Sequence, residues 1–287
     1  MLSSLAAVLF DGFAYGMLLF LLSVGLSVTL GMMNFVNLAH CSFAAVGGYC
    51  TVTLVTSFGW PFLAALPIAF LAAALVSVIL ERSLYRRLYR SSDLDQCLLT
   101  IGIVFISVAA FAWFYTTEQQ SAQVPAYLKG SIRVLGVNFA VYRLFLILFG
   151  LAITVILVLL LEKTRFGAQV RAAVDNQRMA RGLGIDVDRA FMITFALGGG
   201  LAGLGGALAI EVIGLDPTFA LTYLVYVLIV VAVGGLGSIG GSFAAASVLG
   251  ISDMAGKYYF PWLGAFLIYL VMVGLLMWRP AGLFGKR

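Results

Sequence analysis

LFLILFGLAITVILVLLL, residues 144–161, decides what kind of protein this is. It carries no charge, and Arg143 and Glu162 close it at either end. The hydrocarbon core of a bilayer is roughly 30 Å thick and takes about 20 apolar residues at 1.5 Å rise each. A run of this kind reads as a membrane-crossing helix. The pattern recurs at 12–31, 98–115, 191–210, 218–253 and 258–278. Hydrophobic residues make up 63% of the chain and charged ones 10%, against about 25% charged in soluble domains. That leaves too little polar surface for a protein dispersed in water.

The net charge of +5 does not point to nucleic acid, because the basic residues sit in short loops between apolar runs. Cys41, Cys50 and Cys97 lie in or beside those runs. They form no CxxC or Cys/His cluster, so neither a metal site nor a disulfide scaffold is expected. Residues 1–10 lack the positive start of a cleavable signal, so the first apolar run is expected to be retained.

The predicted fold class is all-α, a polytopic transmembrane helical bundle of about eight to nine spans, some broken or re-entrant. The expected spans are 12–30, 35–58, 62–80, 98–115, 144–161, 191–212, 219–233, 242–255 and 262–278, with residues 1–10 as an interfacial helix. Loop 81–95 carries Arg82, Arg86, Arg87 and Arg90. Loop 162–189 carries Lys163, Arg165, Arg171, Arg178, Arg181 and Arg189, and the tail carries Arg279, Lys286 and Arg287. The positive-inside rule makes these three cytoplasmic and the loops 116–143 and 253–261 external. The N-terminus is then outside and the C-terminus inside. Trp113, Tyr115, Trp262 and Trp278 fall at span ends, where interfacial aromatics belong.

Loop 162–189 reads as one short helix over 166–183, ended by Gly184 in a left-handed cap. From its charges alone, a solvated connector is as good a reading. No loop has room for a soluble catalytic domain.

Two apolar regions are interrupted. GMMNFVNLAHCSFAA, residues 31–45, places Asn34, Asn37, His40 and Ser42 between apolar runs with no charged residue. A helix through 34–37 would put the two asparagines on one face. GGLGSIGGSFAAA, residues 234–246, is the second break, with Gly235, Gly237 and Ser238. Both breaks lead into Ser-Phe-Ala-Ala. Polar side chains at membrane depth face protein or water, and paired interrupted segments point to a transport path. A tight Gly-rich turn between ordinary helices is the alternative. Small-xxx-small pairs at Gly199/Gly203, Ala202/Gly206 and Gly237/Gly241 permit close approach, within the chain or in a dimer. Asp11, Glu211 and Asp216 fall at expected outer ends. No acidic residue falls at a clear midplane, which disfavours ion-coupled secondary transport and leaves the energy source unexplained unless another subunit supplies it.

The run TLGMMNFVNLAH, residues 29–40, resembles the signature of permease subunits of branched-chain amino acid ABC importers. Further similarities follow in order: LTIG at 99–102, RAAVDNQRMARGLGI at 171–185, VGGLGSI at 233–239 and RPAGLFG at 279–285. The N-terminal position of Asn-Leu-Ala-His resembles the LivH-type more than the LivM-type subunit. Cys41 stands where the family often has Gly, and the loop at Arg171 lacks the Glu-Ala-Ala of better-known importer permeases.

The resemblance implies a single permease domain over 1–287 with a cytoplasmic coupling-helix loop at 162–189. It implies two permease subunits (self or LivM-type), two cytoplasmic ATPase subunits and a periplasmic solute-binding protein, in a bacterial inner membrane. The expected path residues are Asn34, Asn37, His40, Ser42, Thr100, Gly235, Gly237 and Ser238. The expected ATPase-coupling residues are Arg171, Ala172, Ala173, Asp175, Arg178, Arg181, Gly182 and Gly184, with Arg171, Arg178 and Arg181 facing an acidic groove. No cofactor is expected in this chain; ATP and Mg²⁺ belong to the partner ATPases, since neither a Walker-type loop nor a carboxylate cluster is present. A stand-alone channel for small neutral solutes such as urea or amides is the alternative, although Asn-Pro-Ala is absent. An intramembrane enzyme is disfavoured by the single histidine and the lack of HExxH.

Overall fold

The computed structural model describes residues 2–33, 35–89, 91–122, 124–134 and 137–285. Asn34, Arg90, Lys286 and Arg287 lie outside the described residues.

The chain is built of helices: α1 Leu2–Met33, α2 His40–Val52, α3 Phe62–Leu80, α4 Arg86–Leu88, α5 Asp93–Tyr115, α6 Val141–Lys163, α7 Arg165–Asp175, α8 Gln177–Gly182, α9 Val187–Ala209, α10 Phe219–Gly234, α11 Ile239–Tyr259 and α12 Gly264–Trp278. Among the described residues, five helical stretches are long and apolar enough to cross a membrane: Ser4–Gly31, Phe62–Leu88, Asp93–Tyr115, Val141–Lys163 and Val187–Ala209. The remaining apolar helices are shorter or more polar. Length and composition alone therefore do not reach the expected eight to nine spans.

Helices α1 and α9 form the centre, packed through glycine. A Cβ on Gly25 would strike the backbone of Gly198, one on Gly47 that of Gly203, and one on Gly206 that of Ala44. The glycine pairs of α9 thus seat α1, α2 and α3 within the chain. Close approach matters here because lipid supplies no hydrophobic drive between helices; packing and hydrogen bonds hold them instead. On its other side α1 meets α11, where Gly12 and Gly16 oppose the backbone around Ala246, Gly250 and Ile251.

Helix α5 is different. Only 17% of its apolar window is buried, against 78% for α9. It faces the rest of the chain with one stripe: Gln96, Thr100, Ile103 and Val104 are buried, and Ser107, Phe111 and Tyr115 continue the line. Leu98, Phe105, Ile106 and Trp113 point away.

Four expectations are corrected. Residues 35–39 are not helical, so no single span covers 35–58; α2 begins at His40 and ends in a π-helical turn over Thr53–Ser57. Residues 2–10 are the first turns of α1, with no separate interfacial helix. The helix expected over 166–183 is two helices, because Asn176 leaves helical geometry and its side chain caps α8 by accepting from Met179 N at 3.0 Å. Asp253 is inside α11, fully buried, where an external loop was expected to begin. The helical class holds, with one addition the sequence did not signal: β1 Ser131–Val134 and β2 Val137–Ala140 pair antiparallel between α5 and α6, with Ile132 opposite Phe139. Phe139 packs edge-on against Phe10, and Arg143 pairs with Asp11, so the hairpin sits at the N-terminal end of α1.

Candidate functional site

The first break builds the most unusual local structure. Over residues 35–39 the chain is non-helical and runs beside α5. Val36 N donates to Gln96 Oε1 (3.0 Å), and Leu38 N donates to Thr100 Oγ1 (3.2 Å). The spacing has a simple cause. Two non-helical residues can advance up to about 6.6 Å and four residues of helix rise about 6 Å, so side chains at i and i+4 can meet amides at i and i+2. These two bonds replace helical partners that residues 36 and 38 lack, as backbone at membrane depth requires.

The segment climbs along α1. His40 Nε2 donates to the Leu22 carbonyl (3.1 Å). Leu22 lies about 16 Å back from the end of α1 at 1.5 Å per residue. Helix α2 therefore starts deep in the bundle, not at its edge. Asn37 is 1% exposed, and its Oδ1 accepts from Ala39 N (3.1 Å) in an Asx turn. Its Nδ2 has no hydrogen-bond partner among the described residues. Ser42 Oγ meets Ser107 Oγ at 2.8 Å on α5. Further along, Tyr49 stacks on Phe111 (4.5 Å between centroids) and Tyr115, and Thr53 Oγ1 meets Tyr115 Oη at 2.7 Å.

Four of the expected path residues are thus brought together: Asn37, His40, Ser42 and Thr100. Asn34 is outside the described residues. Gly235, Gly237 and Ser238 form a separate elbow between α10 and α11. Gly235 and Gly237 have φ of +92° and +77°, which a side chain would strain. Ser238 caps α11 by accepting from Gly241 N at 3.0 Å. The elbow touches the end of α1, where Gly31 abuts the Gly237 backbone. The Ser-Phe-Ala-Ala echo has a physical counterpart: Ser242 Oγ donates to Ser27 Oγ at 2.9 Å on α1, as Ser42 meets Ser107 on α5.

Gln96 was missed in the sequence. Its signal was its place one helical turn before Thr100, at the start of an otherwise apolar stripe. Asp253 was also missed. Its Oδ2 accepts from Lys257 Nζ (2.6 Å), and that ammonium lies 5.4 Å from the Tyr15 ring.

In the loop between α6 and α9, Val170 and Ala173 on α7 are buried, and Gly167 fits against the Leu161 carbonyl. Ala173, Ala180, Val187 and Phe191 form a small core with Met33, Tyr89 and Ile185 around it. Arg171 donates to the Leu161 carbonyl, and Arg181 pairs with Asp188 (2.9 Å), which also holds Arg86 (2.5 Å). Two of the three arginines expected to face a partner are therefore bound within the chain. Ala172 is half-buried; Asp175, Arg178, Gly182 and Gly184 are exposed, and Gly184 takes φ +83°. The exposed apolar residues are Val174, Met179 and Leu183.

Aromatic packing joins this core to the break. Tyr89 meets Phe191 (6.1 Å) and Phe35 (5.6 Å), and Phe35 also meets Tyr85 (5.1 Å) and Phe195 (5.8 Å). Tyr89 donates to Glu81 Oε1 (2.8 Å). Burial, and then this hydrogen bond, push the Tyr89 phenol well above its ordinary value, so it remains a donor at neutral pH.

The family described as branched-chain amino acid transport system / permease component matches residues 8–276. Among curated proteins, the chain is 29% identical to the probable branched-chain amino acid transport permease protein LivH of Methanocaldococcus jannaschii, over 94% of this chain and 90% of that one. It is 25% identical to the permease protein BraD of a high-affinity branched-chain amino acid transport system in Pseudomonas aeruginosa, over 97% and 95%. It is 24% identical to the corresponding LivH of Escherichia coli K12, over 97% and 94%. No solved structure matches.

Proposed function

The chain belongs to the family of branched-chain amino acid transport permease components, and from that premise we propose that it forms the translocation path of an ATP-driven importer for branched-chain or related amino acids. It works in a bacterial cytoplasmic membrane, with the N-terminus outside and the C-terminus in the cytoplasm. Nine passes fit this scheme: α1, α2, α3, α5, α6, α9, α10, α11 and α12. The whole chain is one permease domain. A second permease subunit, two ATPases and an external solute-binding protein complete the machine. ATP and Mg²⁺ are held by the ATPases, and this chain does no chemistry on the solute.

One observation carries the coupling: packing is continuous from the α7–α8 core through Tyr89 and Phe35 to the re-entrant residues 36–42. Closure of the ATPases would push the α7–α8 lever. The aromatic cluster would pass that push to the segment whose amides hang on α5. Rigid-body rocking of packed elements is the ordinary means of alternating access. With Arg171 and Arg181 engaged in the chain, the face offered to the ATPase is Val174, Asp175, Arg178, Met179 and Leu183. An apolar groove with an acidic rim fits it better than a wholly acidic one.

Replacing residues 182–185 with a flexible linker tests the proposal. Loss of ATPase association together with loss of amino acid uptake is expected. Solute flux that persists with the ATPase detached would establish the channel reading instead.

A further inference from the structure

Resting on the importer reading, we infer that the re-entrant segment is a cradle for the α-carboxylate of the passing amino acid. Its donors are Asn37 Nδ2 and the amides of Val36 and Leu38. Gln96 and Thr100 occupy two of these donors while the path is empty.

The groups gathered here are donors. Asn37 Nδ2 is buried and has no acceptor among the described residues. An amide nitrogen left so is costly unless something accepts from it in another state. The Val36 and Leu38 amides are held only by side-chain oxygens of a neighbouring helix. All three belong to the turn that leads into the N-terminus of α2, whose dipole favours an anion. Asn37 is folded over that terminus by its own bond to Ala39 N. Among the described residues the two buried carboxylates are engaged elsewhere: Glu81 by Tyr89, and Asp253 by Lys257 on another helix. A carboxylate crossing a low-dielectric interior must be hydrogen-bonded throughout.

Helix α5 supplies the means of exchange. It is attached by a single stripe, so a small outward movement takes Gln96 and Thr100 away together. The two amides are then free at the moment the path opens. The solute's two carboxylate oxygens replace Gln96 Oε1 and Thr100 Oγ1, and Asn37 Nδ2 gains its acceptor. When α5 returns, its oxygens displace the carboxylate and the solute moves on. Such a site holds briefly and weakly, as a path must.

The geometry of Asn37 separates this role from a structural one. Asn37→Asp keeps the oxygen that accepts from Ala39 N and replaces the donor by an anionic oxygen. Asn37→Leu removes both. A buried carboxylate at position 37 is costly whatever the role, so a merely structural asparagine predicts that Asn37→Asp loses uptake and assembly together. A carboxylate cradle predicts loss of uptake with assembly intact. The assay is initial uptake of labelled L-leucine into proteoliposomes bearing the complete importer, with saturating binding protein. Asn37→Asp is expected to slow uptake about tenfold or more, with ATPase subunits recovered in the wild-type ratio. A rate for Asn37→Asp equal to wild type overturns the inference.

If Asn37→Asp fails to assemble, Gln96→Glu decides from the opposite wall. It places a tethered carboxylate against the Val36 amide and is expected to slow uptake about severalfold by occupying the cradle; a wild-type rate overturns the inference. Absence of leucine uptake by the wild-type complex would instead refute the underlying importer assignment.

Discussion

Gln96→Leu should loosen the re-entrant segment by a calculable amount. Gln96 accepts from Val36 N at 3.0 Å and donates to the carbonyls of Leu88 (3.1 Å) and Ser91 (3.4 Å). The two carbonyls lie at the end of the bundle, where water can replace the lost donor. Val36 N has no such substitute beside α5. Leaving this half-buried amide without an acceptor costs up to about 1–3 kcal/mol. If that cost falls on local opening, amide exchange at Val36 speeds up by about 5- to 150-fold. Leu38 should follow in part, because its bond to Thr100 remains. The measurement is hydrogen–deuterium exchange by mass spectrometry on the assembled complex in lipid nanodiscs. A peptide across residues 35–40 is compared with one from the glycine face of α9, which should not change. Gln96→Glu keeps an acceptor and should stay protected. Unchanged exchange at 35–40 in Gln96→Leu, or equal acceleration in both variants, would refute the view that Gln96 holds this segment.

Gly47→Val drives a side chain into the Gly203 backbone, whereas Gly102 has open space around it. The first should lower the melting temperature of the purified complex by the equivalent of about 1–3 kcal/mol or more, and Gly102→Ala should leave it unchanged; equal effects would contradict the helix crossing described. Lys257→Met strands the buried Asp253 carboxylate and should cost about 3–5 kcal/mol. Asp253→Asn leaves only a half-exposed lysine, so thermal scans should rank it far milder, and the reverse ranking would contradict the buried placement of Asp253. Met179→Asp places a charge on the exposed face of α8; ATPase recovery on affinity purification should fall while the melting temperature holds, and undiminished recovery would move the docking face elsewhere.

Hydropathy revealed the long helices well, because α1, α3, α5, α6 and α9 each carry a lipid-length apolar run. It also marked the first break, since asparagines and a histidine cannot be left facing lipid. It could not show that residues 35–39 leave helical geometry. That depends on Gln96 and Thr100, some 60 residues away, supplying the amides' acceptors. Asp253 was misread for a similar reason. A lone acid near the end of an apolar run looks like the start of a loop until Lys257, one helical turn on, is seen to neutralise it. The arginines of the loop before α9 were legible as loop charge, but Asp188 and the Leu161 carbonyl take up two of them. The apolar residues left exposed beside them gave no signal in a sequence already rich in such residues.

The elbow at 235–238 is finished by chain that comes much later. Leu283 N donates to Val233 O (2.7 Å), Phe284 N donates to Gly234 O (3.2 Å), and the backbones of Gly282 and Gly285 press against Gly235. During biosynthesis this corner must therefore wait, with α11 and α12 already threading into lipid, until the strap at 282–285 emerges to clasp it. A reporter fused directly after Gly285 would load that clasp, whereas one placed on the hairpin at the far end of the bundle would leave it alone.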